Sequence, residues 1–230
     1  MFTSIRKLRF PLALVCFSHS CIADVSITTS IVSDYLFNGL SQTEGRPTLQ
    51  ASIDYENNNG WYAGTFASGV DYGEGTHYEI DFYGGYAGDV SETISFDIGA
   101  AAYTYYGSSV ASEVNYNEVY GSLDYNASRL QVWYTNDYFG SSARHVIVAV
   151  SHSIEVSENL SLLLLIDRSV SLDSEQFEWD TNDNDYVHYK VEAAFEWLSL
   201  FWTLGLEKSD VDYDDGLKVL LTSSFTFEVD

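Results

Sequence analysis

From Val25 to Phe227 the chain repeatedly alternates apolar and polar residues with a period of two. Val25, Ile27, Ile31, Tyr35 and Phe37 share one parity, with Ser26, Thr28, Ser30 and Asp34 on the other. Leu49, Ala51, Ile53 and Tyr55 follow against Gln50, Ser52, Asp54 and Glu56, and Tyr78, Ile80, Phe82 and Tyr86 against Glu79 and Asp81. The pattern returns in Ile94-Phe96-Ile98-Ala100, Val119-Leu123-Tyr125, Leu130-Val132-Tyr134 and Leu160-Leu162-Leu164-Ile166. It ends with Val187-Tyr189-Val191-Phe195, Leu200-Trp202-Leu204-Leu206 and Val219-Leu221-Phe225-Phe227. Such alternation marks strands with one face in an apolar medium and the other among polar groups. Stretches 60–71 and 144–155 alternate less cleanly, so the expected count is twelve strands, with ten as the alternative. No stretch after residue 23 has the 18 or so consecutive apolar residues of a membrane helix.

A soluble sandwich and a membrane barrel both alternate in this way, and the connections separate them. Asn38–Pro47, Asp71–His77, Gly107–Asn115, Gly140–Ala143, Ser171–Tyr186 and Lys208–Gly216 are mostly long. Between them lie the short Asn57–Gly60, Gly88–Thr93, Asn126–Ser128, Glu155–Asn159 and Leu198-Ser199. Long outer loops alternating with short periplasmic turns belong to an outer-membrane barrel. The reading is therefore an all-β fold, a transmembrane antiparallel up-and-down barrel over 24–230. Tyr35, Phe37, Tyr62, Tyr86, Tyr138, Trp197, Trp202 and Phe227 are expected near strand ends, at the level of the lipid headgroups.

The N-terminus fits that destination. Arg6, Lys7 and Arg9 precede an apolar stretch from Phe10 to Phe17 and then Cys21-Ile22-Ala23, the order of a secretory signal peptide cleaved after Ala23. A lipoprotein site at Cys21 is the alternative, but Ser18-His19-Ser20 lack the usual aliphatic residue. Cleavage of residues 1–23 removes both cysteines, Cys16 and Cys21, so no disulfide holds the rest. It also removes three bases from a chain already at formal net charge -24. That balance excludes non-specific nucleic-acid binding, which needs clustered Lys and Arg.

A resemblance to a known family becomes visible along the first third. Ser33-Asp34-Tyr35, Asn38-Gly39-Leu40-Ser41-Gln42, Pro47 and Gln50 resemble the opening of the TorF family of porin-like proteins of proteobacteria. Asp54-Tyr55, Gly60-Trp61-Tyr62-Ala63-Gly64, Val70-Asp71 and Glu79-Ile80-Asp81-Phe82-Tyr83-Gly84-Gly85-Tyr86 continue it to about Gly88. The resemblance implies a signal-bearing outer-membrane barrel of unsettled function, with no catalytic residues to carry over. The end, Ser224-Phe225-Thr226-Phe227, is similar to the aromatic last strand by which such barrels are recognised for insertion, although Glu228-Val229-Asp230 follow it. The expected partners are outer-membrane lipid and lipopolysaccharide, the barrel-assembly machinery and small solutes.

The polar parity carries the candidate chemistry. Its acids are Asp34, Asp54, Glu56, Glu79, Asp81, Asp97, Glu118, Asp124, Asp137, Asp167, Glu192, Glu196 and Glu207, and its bases are Arg129, Lys190 and Lys218. Only Arg144 and Arg168 fall on the apolar parity, near strand ends. A lumen lined this way should hold a negative potential, enriching cations and repelling anions. Passive diffusion of small cationic or neutral solutes is the first functional reading, and a non-conducting structural or adhesive barrel is the second. No cofactor is expected, beyond weak Ca2+ or Mg2+ binding at two outer loops. These offer Asp180, Asn182 and Asn184, and Asp210, Asp212 and Asp214, at alternate positions, but without the glycine and twelfth-position Glu of an EF-hand. A barrel hydrolase is the third reading; His77, His145, His152 and His188 sit in no spacing that specifies a triad, so the chain is read as no enzyme.

Overall fold

A computed structural model describes residues 24–72, 75–181 and 183–229. Residues 1–23, where a signal peptide is expected, lie outside the described residues with Cys16 and Cys21, as does Asn182. The strands are β1 (Asp24–Val32), β2 (Leu36–Phe37), β3 (Leu40–Ser41), β4 (Thr48–Glu56), β5 (Trp61–Gly69), β6 (Thr76–Asp89) and β7 (Ile94–Gly107). They continue with β8 (Tyr116–Tyr125), β9 (Ser128–Thr135), β10 (His145–Ser157), β11 (Leu160–Ser171), β12 (Asp185–Trp197), β13 (Leu200–Ser209) and β14 (Lys218–Val229). All but β2 and β3 join in one closed antiparallel barrel, sealed where β1 meets β14 from Val25↔Val229 to Val32↔Thr222. Closure leaves no unpaired strand edge, as a membrane requires. The barrel has the twelve strands that the alternation predicts, and the ambiguous stretches 60–71 and 144–155 form β5 and β10.

Both ends of the chain and the turns 57–60, 90–93, 126–127, 158–159 and 198–199 lie at one rim. Segments 33–47, 70–75, 108–115, 136–144, 172–184 and 210–217 connect strands at the other. The outward parity exposes Ile31, Leu49, Ile53, Phe82, Ile98, Val119, Val150 and Leu204, between 46% and 70% of each residue's surface. In water so continuous an apolar band would be an aggregation surface; against acyl chains it is the stable face. Among the described residues no helix is long and apolar enough to cross a membrane.

The short-turn rim carries outward aromatic pairs, Trp61 with Tyr86 (ring centroids 5.2 Å apart) and Trp197 with Trp202 (6.0 Å). Four aromatic residues expected at headgroup level instead face inward. Tyr35 and Tyr138 are buried, and Phe37 packs on Tyr103 and Phe139, because segments 33–47 and 136–144 fold over the barrel mouth. Tyr62 turns in because its hydroxyl finds Asp97 Oδ1 at 2.6 Å. A phenol is well placed where ring and hydroxyl both have partners.

Candidate functional site: the barrel interior

The interior is two unlike halves. Toward the loop rim the inward acids are shut away from water: Glu79 is 2% exposed, Glu118 3%, Asp167 and Glu207 4%, Asp81 6%. Toward the short-turn rim Asp54, Glu56, Asp124 and Arg129 are half-buried and Glu196 is exposed. The loop side of the interior is thus closed, whereas burial toward the short-turn rim is uneven, Asp97 there being 1% exposed.

What closes it is a cluster of side chains from several loops and the strand ends beneath them. Tyr35, Phe66, Val70, Tyr105, Tyr116, Tyr138, Trp179, Tyr186 and Val211 are buried together. Tyr138 stacks on His145 at 3.9 Å and meets Trp179 edge-on at 5.7 Å, while Phe139 lies 4.8 Å from Tyr116. Inserted among them is the hairpin of β2 and β3. Its two-residue turn, Asn38 (φ 47) and Gly39 (φ 82), has the paired positive φ angles that Asn-Gly favours in tight hairpins.

Below this cluster two groups of ionisable side chains face each other across the barrel. On β6, β7 and β8 the inward carboxylates of Glu79, Asp81 and Glu118 sit among phenols. Tyr105 donates to Glu79 Oε1 at 2.7 Å and Tyr103 to Glu118 Oε2 at 3.0 Å. Glu79 Oε2 and Asp81 Oδ1 have no hydrogen-bond partner, and among the described residues no basic side chain pairs with any of the three. On β11, β12 and β13, His188 bridges Asp167 (Nδ1–Oδ2, 2.6 Å) and Glu207 (Nε2–Oε2, 3.0 Å). Lys190 then reaches Glu207 at 3.1 Å and Glu192 at 2.9 Å. Two ring nitrogens facing two carboxylates require at least one proton beyond that of a neutral imidazole for both contacts to be hydrogen bonds.

Nearer the short-turn rim, Arg129 grips Asp124 bidentately at 2.6 and 2.9 Å. Tyr62 links Asp97 to Tyr120, whose hydroxyl lies 2.7 Å away. Asp54 accepts from Tyr83 and from Ser52, the latter at 2.7 Å. The tyrosine rings of Tyr62 and Tyr120 lie over Gly85 and Gly99, where a Cβ would collide with them.

The three inward bases are all engaged: Arg129 by Asp124, Lys190 by Glu192 and Glu207, and Lys218 by Asp214 at 2.9 Å. Asp34 and Asp137, expected on strands, lie in loops and hold them. Asp34 Oδ1 accepts from Ser41 and Thr43, both at 2.7 Å, and Asp137 Oδ1 accepts from the Ser142 amide at 2.7 Å. Short polar residues bind local backbone and hydroxyls readily, and the strands end before reaching them. On the outward parity Arg168 pairs with Asp185 at 2.5 Å, and loop residue Arg144 with Asp173 at 2.7 Å.

The two Asp-rich outer segments touch: Asp180 Oδ2 accepts from the Asp212 amide at 2.9 Å. Asp210 Oδ1 accepts from the Val187 amide at 2.6 Å, Asp214 Oδ2 from the Ser41 amide at 3.3 Å, and Asn184 Nδ2 donates to Ser171 O at 2.9 Å. Among the described residues no three His, Cys, Asp or Glu side chains converge as an ion-holding set. His145 pairs with Ser169 at 2.7 Å and His152 with Ser128 at 2.9 Å; neither has a carboxylate in ion-pair reach among the described residues. Sequence reasoning missed Tyr103, Tyr105 and His188 as the groups that bind the buried acids. Register could have found the tyrosines, since Glu79 lies opposite Tyr105 and Asp81 opposite Tyr103.

A family model described as "Bacterial protein of unknown function (Gcw_chp)" matches residues 18–166, and the chain belongs to that family. No curated protein matches it. Among solved structures it is similar to a KdgM porin, at 9% identity and a TM-score of 0.58, covering 88% of this chain and 99% of that one. A NanC porin is similar at 8% identity and 0.56, covering 88% and 98%. A KdgM porin in complex with disordered oligogalacturonate is similar at 7% and 0.54, covering 90% and 98%. Identities this low establish a shared porin-type barrel and nothing finer.

Proposed function

We propose that this member of the Gcw_chp family is an outer-membrane, porin-like channel that lets small cationic or neutral solutes diffuse through an acidic lumen. Residues 1–23 export it, the barrel-assembly machinery inserts it, and lipid and lipopolysaccharide surround it. The resemblance to the TorF family, carried by residues inside the matched segment 18–166, supports the same role. The observation that carries the reading is one of pairing. Every inward base is engaged by a carboxylate, while among the described residues no base pairs with Glu79, Asp81 or Glu118. To the extent that these carboxyls ionise, the surplus is negative, and a low-dielectric wall strengthens its field.

The same surplus argues against the solute seen with the KdgM porin. Oligogalacturonate is a chain of carboxylated sugars, and uncompensated carboxylates repel it. Liposome swelling tests the proposal. Small amines and neutral sugars should enter vesicles containing the protein faster than a carboxylated sugar of equal size, and fastest entry of the carboxylated sugar would overturn it. The closed loop side favours a second reading, a non-conducting structural barrel. That reading stands if no solute enters even after the β2–β3 hairpin is removed.

A further inference from the structure

The β2–β3 hairpin spans the barrel. It leaves β1, yet its turn rests on β12 and its side chain reaches β7, strands five places apart in a ring of twelve. A Cβ built on Gly39 would lie 2.5 Å from His188 Cδ2, so only a glycine seats there. Tyr186 donates to Asn38 O at 2.9 Å. Phe37 packs edge-on against Tyr103 at 6.0 Å. The hairpin is itself stiffened from its root. Gln42 N donates to Tyr35 O at 2.7 Å, and Tyr72 donates to Gln42 Oε1. It therefore stands, as a preformed element, directly over both buried groups of ionisable side chains.

Resting on the pore reading above, we propose that the β2–β3 hairpin is a built-in plug. Seated on His188, it closes the loop side of the lumen; withdrawn, it opens a path past Glu79, Asp81 and Glu118. The contacts suit a movable element. Most of the tip's grip is one hydrogen bond and ring packing, and no covalent bond or ion pair ties Phe37, Asn38 or Gly39 to the wall among the described residues. Opening needs no change in the barrel's ladder, since β2 and β3 pair only with each other.

The test uses the cysteine-free segment 24–230 carrying Ser151→Cys, an inward half-buried position on β10. A membrane-impermeant cationic thiol reagent is added to either side of proteoliposomes. In the otherwise unaltered barrel Cys labelling should be fast from the short-turn side and slow from the loop side. Gly39→Val, or replacement of 36–41 by a glycine-serine link, should raise the loop-side rate. A side chain forced against a packed ring shifts an equilibrium by about fivefold to thirtyfold. Folding is checked by heat-resistant migration on gels. Equal rates from both sides in the unaltered barrel overturn the plug without recourse to the variants, as does an unchanged loop-side rate in folded ones. Planar-bilayer recording on the same proteins separates the two readings. If the hairpin-replaced barrel labels from both sides yet passes no ions, the pore reading falls and the plug stands. If the unaltered barrel conducts freely and labels from both sides, the plug falls and the pore stands.

Discussion

Replacing His188 by Leu removes the bridge between Asp167 and Glu207, and its cost follows from who is left with a partner. Each hydrogen bond to a carboxylate contributes about 1.5–3 kcal/mol when its partner would otherwise be stranded. Glu207 keeps Lys190 at 3.1 Å. Asp167 keeps nothing comparable, since its Oδ1 is already unpartnered and its Oδ2 faces only His188 among the described residues. The side chains of Asp167 and Glu207 are 3% and 5% exposed, so water cannot substitute. His188→Leu should therefore cost about 3–4 kcal/mol, most of it from Asp167 and near the lower end for breaking a buried pair. Adding Asp167→Leu removes the stranded carboxylate, and the double variant should regain at least about half of that loss. Urea unfolding from lipid vesicles, followed by tryptophan fluorescence, measures both. A single-variant cost under about 1 kcal/mol, or no coupling between the two sites, would refute the bridge as described.

Three further outcomes are expected. Ile98→Lys puts a charge on the outward face of β7 and should cost about 2–4 kcal/mol in the same unfolding experiment if that position lies at mid-bilayer, and near zero if the face is solvated. Hydrogen bonds from the Arg144 side chain and amide hold the Asp173 carboxyl down to about 2. Its stabilising contribution is complete above the unfolded value of about 3.9 and is lost as pH falls through about 2, so a carboxyl NMR titration with a midpoint near 3.9 would exclude the pair. Calcium titrated against Trp179 fluorescence should half-saturate no lower than about 1 mM, because Asp180 and Asp210 already accept backbone amides; micromolar binding would show a site these contacts hide.

The strands were legible because a lipid-facing wall obliges every second residue to be apolar, a constraint strong enough to show through one sequence. Leu49, Ile53, Ile98 and Val119 could be placed outward and Glu79, Asp97 and Glu118 inward from parity alone. What parity does not carry is depth. Asp34 has the spacing of a strand residue but lies in the loop that follows β1, and its neighbours Ser41 and Thr43 capture it. The inward fold of 33–47 depends on a contact between Gly39 and His188, residues far apart in sequence, and no local pattern encodes such a pair. Its Asn38-Gly39 turn is a local hairpin signal, but nothing local says that the hairpin folds inward. The aromatic residues divide for a similar reason: Trp61 and Trp197 face lipid, whereas Tyr62, Tyr103 and Tyr105 turn inward to partners on neighbouring strands.

The most direct measurement is the reversal potential of single channels across a KCl gradient at low salt, where the Debye length is about 30 Å at 0.01 M. The hairpin-replaced barrel should show cation preference, and its Glu79→Gln, Asp81→Asn, Glu118→Gln form should lose most of it while retaining heat-resistant migration. An anion-preferring reversal potential, or a preference unmoved by the three substitutions, would contradict an ion selectivity set by those carboxylates.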